Sequence, residues 1–191
     1  MNLELFHEWT RRVPPSQNLN EWKIFLEICE LYLKKREIKN PIVVELGVER
    51  NRQKKFYEQF LGAQHIGVDI SAKRGAPDII GNVHDLKTLE VLKTKLDGNP
   101  INILFIDANH CYESVKKDFD MYSPLCSNIV ALHDIDSYRY QKNERIEVWR
   151  FWDELKEKAY KRIEGYDKFL FFSIYHHGSR GNLGIGLMIK K

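Results

Sequence analysis

Short apolar runs of strand character alternate with amphipathic segments over most of the chain. Apolar runs that lack polar alternation are typical of parallel strands, which are buried on both faces of their sheet. Five such runs begin at residues 41, 65, 78, 101 and 128. We therefore predict five parallel strands in this part of the chain.

Amphipathic helices are predicted between the strands, because apolar residues recur there at spacings of three and four. They cover residues 20–36, 50–61, 86–96, 112–122 and 148–159. Asn20 and Asp85 stand at the starts of two of them as candidate N-caps. Residues 1–19 are expected to be irregular, because Pro14 and Pro15 break a helix.

Two further strand-like runs, KFLFFSIYHH and LGIGLMIKK, are joined by GSRGN near the end of the chain. A glycine-rich connection of this length favours an antiparallel hairpin. The pattern predicts an α/β fold: a three-layer Rossmann-like sandwich whose seven-stranded, mostly parallel sheet ends in an antiparallel C-terminal hairpin. We expect one domain over residues 1–191, with an N-terminal helical extension (1–39) and a core (40–191).

Composition narrows the class of protein but does not name a partner. The 30 basic and 27 acidic residues among 191 are too evenly balanced to indicate nucleic acid. The opening MNLELFHEWTRR has no apolar signal core, and no apolar run is long enough to span a membrane. Three cysteines suggest neither a disulfide framework nor a zinc site. We expect a cytoplasmic protein without a membrane partner, and the sequence is compatible with a homo-oligomer.

Polar side chains end two of the predicted strands. Asp107 and His110 follow one apolar run, and His133, Asp134 and Asp136 end the next. Ligands of open parallel sheets bind beyond the carboxyl ends of the strands. The carboxylates could hold a divalent ion such as Mg²⁺, and His110 could accept a proton from a hydroxyl. The alternative is structural: Asp107 caps the next helix and the histidines hydrogen-bond loops.

A second group of residues has the spacing of a nucleotide site. Gly47 ends the first strand, and Asp69 ends the second, about twenty residues later, where an acid can accept both ribose hydroxyl protons. His84 or Asp85 could contact adenine, although Asp85 could equally be a helix cap. The single glycine argues against a dinucleotide-binding enzyme, and Gly47 could simply permit a tight turn.

With these residues in place, the chain resembles the class I S-adenosylmethionine-dependent methyltransferases. Among them it is similar to small bacterial enzymes related to the cephalosporin hydroxylase and macrolide-sugar O-methyltransferase families. The resemblance spans roughly residues 40–190. It rests on the segments VVELGV, GVDIS, GNVHDLKT, FIDANHCYESVKKDF, LHDI and VWRFWDEL.

The resemblance implies a seven-stranded sheet with one reversed strand and a site for S-adenosylmethionine. Glu45 and Gly47 would border the methionine moiety, Asp69 the ribose, and His84 or Asp85 the adenine.

The resemblance also implies that Asp107 and Asp134 hold Mg²⁺ and that His110 is the base, with Asp107 bordering the cofactor as well. His133 stands where the family has an acid, so a weaker site, a softer ion or no metal is conceivable.

These features lead to the hypothesis of an S-adenosylmethionine-dependent enzyme that methylates an oxygen of a small molecule or sugar. The alternative is a methyltransferase-like binding module that has lost catalysis, because large polar residues stand at Asn51 and Arg52 where the family has a second small residue. A nucleic-acid methyltransferase is disfavoured, since the chain lacks an Asn-Pro-Pro-aromatic motif and a clear basic face.

Overall fold

The computed structural model describes residues 1–136, 145–175 and 183–191. One seven-stranded sheet runs through it in the order β3-β2-β1-β4-β5-β7-β6. The strands are β1 (Ile42–Leu46), β2 (Gln64–Asp69), β3 (Ile79–Ile80), β4 (Ile101–Ile106), β5 (Cys126–His133), β6 (Phe169–Ile174) and β7 (Ile185–Lys190). The first five pair in parallel, and β7 is antiparallel to both of its neighbours. The predicted sheet and its C-terminal hairpin are confirmed.

Helices cover both faces of the sheet. They are α1 (Leu3–Arg12), α2 (Leu19–Lys35), α3 (Gln53–Leu61), α4 (Leu86–Leu96), α5 (Tyr112–Tyr122) and α6 (Val148–Tyr160), and a 3₁₀ turn spans Ser123–Leu125. One apolar core lies between the sheet and α1, α2 and α3, and the other lies between the sheet and α4, α5 and α6. Every residue of β1 is buried, as expected for a central parallel strand.

The expectation that residues 1–19 are irregular was wrong. The side chain of Asn2 accepts a hydrogen bond from the Leu5 backbone N–H and starts α1. Pro14 and Pro15 end this helix rather than prevent it, because α1 is complete at Arg12. Phe6 anchors the helix, since its ring is buried against aromatic rings of α3.

Three predicted caps also need correction. The side chain that caps α2 is Asn18, which accepts hydrogen bonds from the Asn20 and Glu21 N–H groups. Asp85 occupies the N-cap position of α4, but its side chain makes no capping hydrogen bond. Asp107 caps no helix, because the N-cap of α5 is Cys111.

The chain leaves β1 and β4 toward opposite faces of the sheet. After β1 it forms α3 on one face, and after the neighbouring β4 it forms α5 on the other. Such a switch point opens a crevice at the carboxyl ends of the two strands.

The three cysteines are free thiols. Within the described residues, no helix combines the length and apolar character that a membrane span requires.

Candidate active site

A cleft of about 1010 Å³ opens at this switch point. The loops that follow β1, β2, β3, β4 and β5 line it, together with the segment between α1 and α2. Its volume is at the upper end of the range for small-molecule and cofactor sites. Of the predicted site residues, it brings together Gly47, Asp69, His84, Asp107, His110, His133 and Asp134.

Gly47 allows β1 and β4 to approach each other at the cleft floor. Its φ is +84°, a left-handed conformation that favours glycine. A Cβ atom at this position would lie 2.3 Å from the carbonyl oxygen of Asp107. A side chain at position 47 is therefore disfavoured both by the backbone conformation and by the segment that follows β4.

The loop after Gly47 keeps a tight shape although it contains no further glycine. Glu49 and Asn51 take left-handed conformations, with φ of 44° and 52°. Asp69 supports the loop, since its Oδ2 accepts hydrogen bonds from the Val48 and Glu49 N–H groups at 3.1 and 3.0 Å. The Asn51 side chain donates to the Ala76 carbonyl at 2.7 Å. The large residues of this segment are thus accommodated by side-chain hydrogen bonds.

Asp69 retains capacity for a ligand after supporting this loop. Its Oδ1 accepts one hydrogen bond, from the Ser71 N–H at 2.9 Å, and a carboxylate offers about four acceptor sites in all. Next to it, Ile70 is 71% exposed and lines the cleft, as does the apolar Val83. The same cleft thus offers an acceptor for a hydroxyl and apolar side chains that a flat ring could contact.

Glu45 and Asp85 lie outside the residues that line the cleft. Glu45 is fully buried in β1, and its Oε2 is 3.0 Å from His65 Nε2. Burial raises the pKa of Glu45, and the hydrogen bond to His65 opposes this only in part. The cofactor contacts predicted for Glu45 and Asp85 stay predictions.

Asp107 is the centre of a hydrogen-bonded cluster. Its Oδ1 lies 3.0 Å from His133 Nδ1, and its Oδ2 accepts a hydrogen bond from Gln17 Nε2 at 3.0 Å. Gln17 in turn accepts a hydrogen bond from the side chain of Gln53. Gln17 and Gln53 are both buried, so this chain of amides holds the Asp107 carboxylate in one orientation.

His110 faces the second carboxylate of the cluster. Its Nδ1 is 2.5 Å from Asp134 Oδ2, and its Nε2 is 3.5 Å from Asp107 Oδ1. Asp134 is almost fully buried and takes a left-handed φ of 63°. Burial alone would lower the pKa of His110, but the hydrogen bond and charge of Asp134 outweigh it and raise the pKa.

Asp107, His110 and Asp134 form a candidate cation site. One ligand atom from each residue lies within 4.8 Å of the other two. His133, which was the predicted third ligand, is outside this group. Burial would lower the pKa of His133, but the charges of Asp107 and Asp134 raise it to about 10. The two carboxylates thus favour the protonated form of His133, whose Nδ1 lies 3.0 Å from Asp107 Oδ1 and 3.2 Å from Asp134 Oδ1.

Two residues of the site, Gln17 and Glu21, were not predicted from the sequence. Glu21 is fully buried in α2, contributes to the raised pKa of His133 and accepts a hydrogen bond from the Gly184 N–H at 3.3 Å. A charged residue next to the buried Trp22 was the available signal for Glu21. For Gln17 there was none, because it follows the prolines in an irregular stretch.

Ser16, Gln17, Arg145 and Ile146 also line the cleft. Residues 137–144, and the pair His176 and His177, lie outside the described residues. Asp136, the further ligand considered, is buried and does not line the cleft.

Comparison with known proteins finds similarity at the level of structure. No family model matches the chain, and no curated protein matches its sequence. MycE, a methyltransferase of mycinamycin biosynthesis solved with Mg, SAH and mycinamycin VI, superposes with a TM-score of 0.68 at 16% identity. That match covers 97% of this chain and 53% of MycE, so the chain spans about half the length of that protein.

Two matches are closer to this chain in length. The O-methyltransferase TomG from Streptomyces achromogenes, solved with SAM, has a TM-score of 0.64 at 13% identity, over 99% of this chain and 89% of its own. An O-methyltransferase from Bacillus cereus, solved with SAH, has a TM-score of 0.60 at 13% identity, over 87% and 81%. The chain has the fold of the class I S-adenosylmethionine-dependent methyltransferases.

Proposed function

We propose that this protein is an S-adenosylmethionine-dependent methyltransferase that methylates an oxygen of a small molecule or sugar. The observation that carries the proposal is the pairing of two half-sites in one cleft. An adenosine-compatible side is formed by Gly47, Asp69 and Val83, and a proton-accepting side by Asp107, His110 and Asp134. The structural neighbours solved with SAM or SAH support the same assignment.

The residues on the first side fit the cofactor. The spare acceptor capacity of Asp69 suits a ribose hydroxyl, and the apolar side chains of Ile70 and Val83 in the same cleft suit the adenine ring. Gly47 lets its backbone approach the backbone of Asp107 and Ala108 closely at this side of the cleft. The loop after Gly47 therefore keeps a tight turn beside the cofactor site although it contains no further glycine.

His110 is the base in the proposed reaction. Its Nδ1 is hydrogen-bonded to Asp134, so Nε2 is the nitrogen that takes the proton of the acceptor hydroxyl. The oxygen then attacks the methyl carbon, the carbon–sulfur bond breaks, and its electron pair stays on sulfur to give S-adenosylhomocysteine. Because the sulfonium already activates the methyl group, the protein mainly orients the partners and accepts the proton.

The carboxylates of Asp107 and Asp134 fit a divalent cation such as Mg²⁺. Mg²⁺ prefers oxygen donors, which leaves the imidazole of His110 for proton transfer. A bound cation would supply Lewis acidity that lowers the pKa of a coordinated hydroxyl. Gln17 and His133 hold the Asp107 carboxylate in place with or without a cation.

Calorimetric titration with S-adenosylmethionine and S-adenosylhomocysteine tests the cofactor assignment. Saturable binding of both is expected, whereas no binding at millimolar ligand would favour a binding module that has lost the cofactor. Methyl transfer is then measured with methyl-labelled cofactor and a panel of sugars and small hydroxylated compounds.

Replacing the base separates catalysis from binding. His110→Ala is expected to lower turnover roughly 100-fold, the usual size of a general-base contribution. Its affinity for S-adenosylhomocysteine should stay within about twofold of wild type. His7→Ala, which removes an exposed histidine from α1, is the matched control. Undiminished turnover in His110→Ala would reject His110 as the base.

A further inference from the structure

The cleft wall at Val83 and His84 is anchored from behind by α5. Tyr122 donates a hydrogen bond from its hydroxyl to the Val83 carbonyl at 2.7 Å. One helical turn earlier, Oδ1 of Asp118 lies 3.0 Å from Nε2 of His84. Residues four apart share one face of a helix, so a single face of α5 holds two consecutive residues of the wall.

Asp118 is an unusual residue for this position, because its side chain is fully buried. Its carboxylate contacts His84, and neither oxygen makes a further hydrogen bond within residues 1–136, 145–175 and 183–191. Burial raises the pKa of Asp118 to about 6, so the carboxylate is ionised at neutral pH. A buried charge with so few partners costs stability, so packing alone does not account for it.

The contacts of His84 determine which of its nitrogens carries the proton. Nε2 faces two acceptors, Asp118 Oδ1 at 3.0 Å and the Ser114 carbonyl oxygen at 3.4 Å. Nε2 therefore bears the hydrogen, and when the ring carries a single proton the lone pair is on Nδ1. His84 lines the cleft, and no hydrogen bond to Nδ1 comes from the part of the chain that the structure describes.

We propose that Asp118 is a positioning residue that fixes His84 in the Nε2-protonated form, so that Nδ1 accepts a hydrogen bond from the 6-amino group of the cofactor's purine. The inference rests on the proposed function, because it assigns the purine to this wall of the cleft. It makes His84 a specificity determinant: a 6-oxo purine would set its carbonyl oxygen against the Nδ1 lone pair.

The affinity ratio of two ligands tests the proposal without any need for turnover. S-adenosylhomocysteine and S-inosylhomocysteine, which has a 6-oxo group, are titrated calorimetrically into the wild-type chain and its variants. Wild type is expected to prefer the adenine ligand by roughly tenfold, the effect of one lost hydrogen bond and one opposed acceptor pair. His84→Leu and Asp118→Leu should reduce the ratio to about twofold.

Two further variants separate positioning from a purely structural role. Asp118→Asn keeps an oxygen that can accept from Nε2, so it should preserve the ratio. Asp120→Asn, an exposed acid on the same helix, is the matched control and should leave both affinities unchanged. Nitrogen-15 NMR of histidine-labelled protein without cofactor should show His84 protonated on Nε2 in wild type and in Asp118→Asn, but not fixed in that form in Asp118→Leu.

The outcomes distinguish this inference from the proposed function. If wild type binds neither ligand, the proposed function fails and the inference fails with it. If S-adenosylhomocysteine binds but the ratio is near one in wild type, or is unchanged in His84→Leu, only the inference is overturned. Because His84 is partly exposed, His84→Leu tests the inference even if Asp118→Leu does not fold.

Discussion

Gly47 meets two constraints that a residue with a side chain violates. Its left-handed φ disfavours an L side chain, and a Cβ would overlap the Asp107 carbonyl. We expect Gly47→Ala to lower the free energy of unfolding by about 3 kcal/mol, with about 1 kcal/mol from the backbone and the rest from overlap. Binding of S-adenosylhomocysteine should weaken as β1 and β4 move apart.

Gly98→Ala is the matched control for this change. Gly98 also has a left-handed φ, of 76°, but a Cβ there would meet nothing within 4 Å. Its cost in urea unfolding should therefore be the backbone contribution alone, about 1 kcal/mol. Equal costs for the two substitutions would contradict the close approach described at Gly47.

Asp118 should make stability depend on pH. Its pKa in the folded chain is about 6, against an ordinary value of 3.8, so the folded state binds the proton more tightly. Proton binding by Asp118 therefore stabilises the folded state, fully so below pH 3.8, and this stabilisation is lost as the pH rises through 6. We expect Asp118→Asn to be more stable than wild type by about 2–3 kcal/mol at pH 7.5, since one pKa unit corresponds to about 1.4 kcal/mol. The difference should shrink toward pH 4, as measured by urea unfolding. A variant less stable than wild type at pH 7.5 would contradict the raised pKa.

At the scale of elements, the central strands were predictable and the ends of helices were not. Strands such as β1 and β4 are buried on both faces, and such burial demands a continuous apolar run that is visible in the sequence. The cap of α2 was misplaced by two residues, because Asn18 and Asn20 both suit an N-cap and only the backbone conformation separates them. The first helix, α1, is not predicted because two prolines follow it, and prolines end a helix without excluding one before them.

The packing of α1 can be tested through Phe6. Its ring centroid lies 6.0 Å from that of Phe56 and 5.8 Å from that of Phe60, and the side chain is 2% exposed. Phe6→Ala should lower the free energy of unfolding by about 3 kcal/mol, the usual cost of removing a buried phenylalanine. Leu3→Ala, at a position 44% exposed on the same helix, should cost less than about 0.5 kcal/mol. If the N-terminal segment were irregular and not packed on the core, both substitutions would instead leave the free energy of unfolding unchanged.

At the scale of the whole molecule, topology explains which site residues could be predicted. Asp107 and Asp134 follow neighbouring parallel strands, so the order of strands alone brings them to one edge of the sheet. Gln17 reaches the same place from a segment ninety positions away in sequence, by a path that no local pattern encodes. Glu45 lies 3.0 Å from His65 within the buried part of the sheet and is not among the residues that line the cleft, so its predicted contact with the methionine moiety stays a prediction.

The same topology leads to a prediction about divalent cations. One carboxylate oxygen of Asp107 and one of Asp134, from adjacent strands, lie within 4.8 Å of each other, and the two carboxylates should bind Mg²⁺ or Mn²⁺ in the presence of S-adenosylhomocysteine. Asp107→Asn and Asp134→Asn should each weaken calorimetric cation binding by at least about tenfold, since even the loss of an outer hydrogen-bond partner costs that much at metal sites. Gln17→Leu, which removes such a partner of Asp107, should weaken it by roughly tenfold, and Asp120→Asn should leave it unchanged. Absence of cation binding in wild type, with cofactor binding intact, would assign the carboxylates to orienting His110 and the acceptor directly.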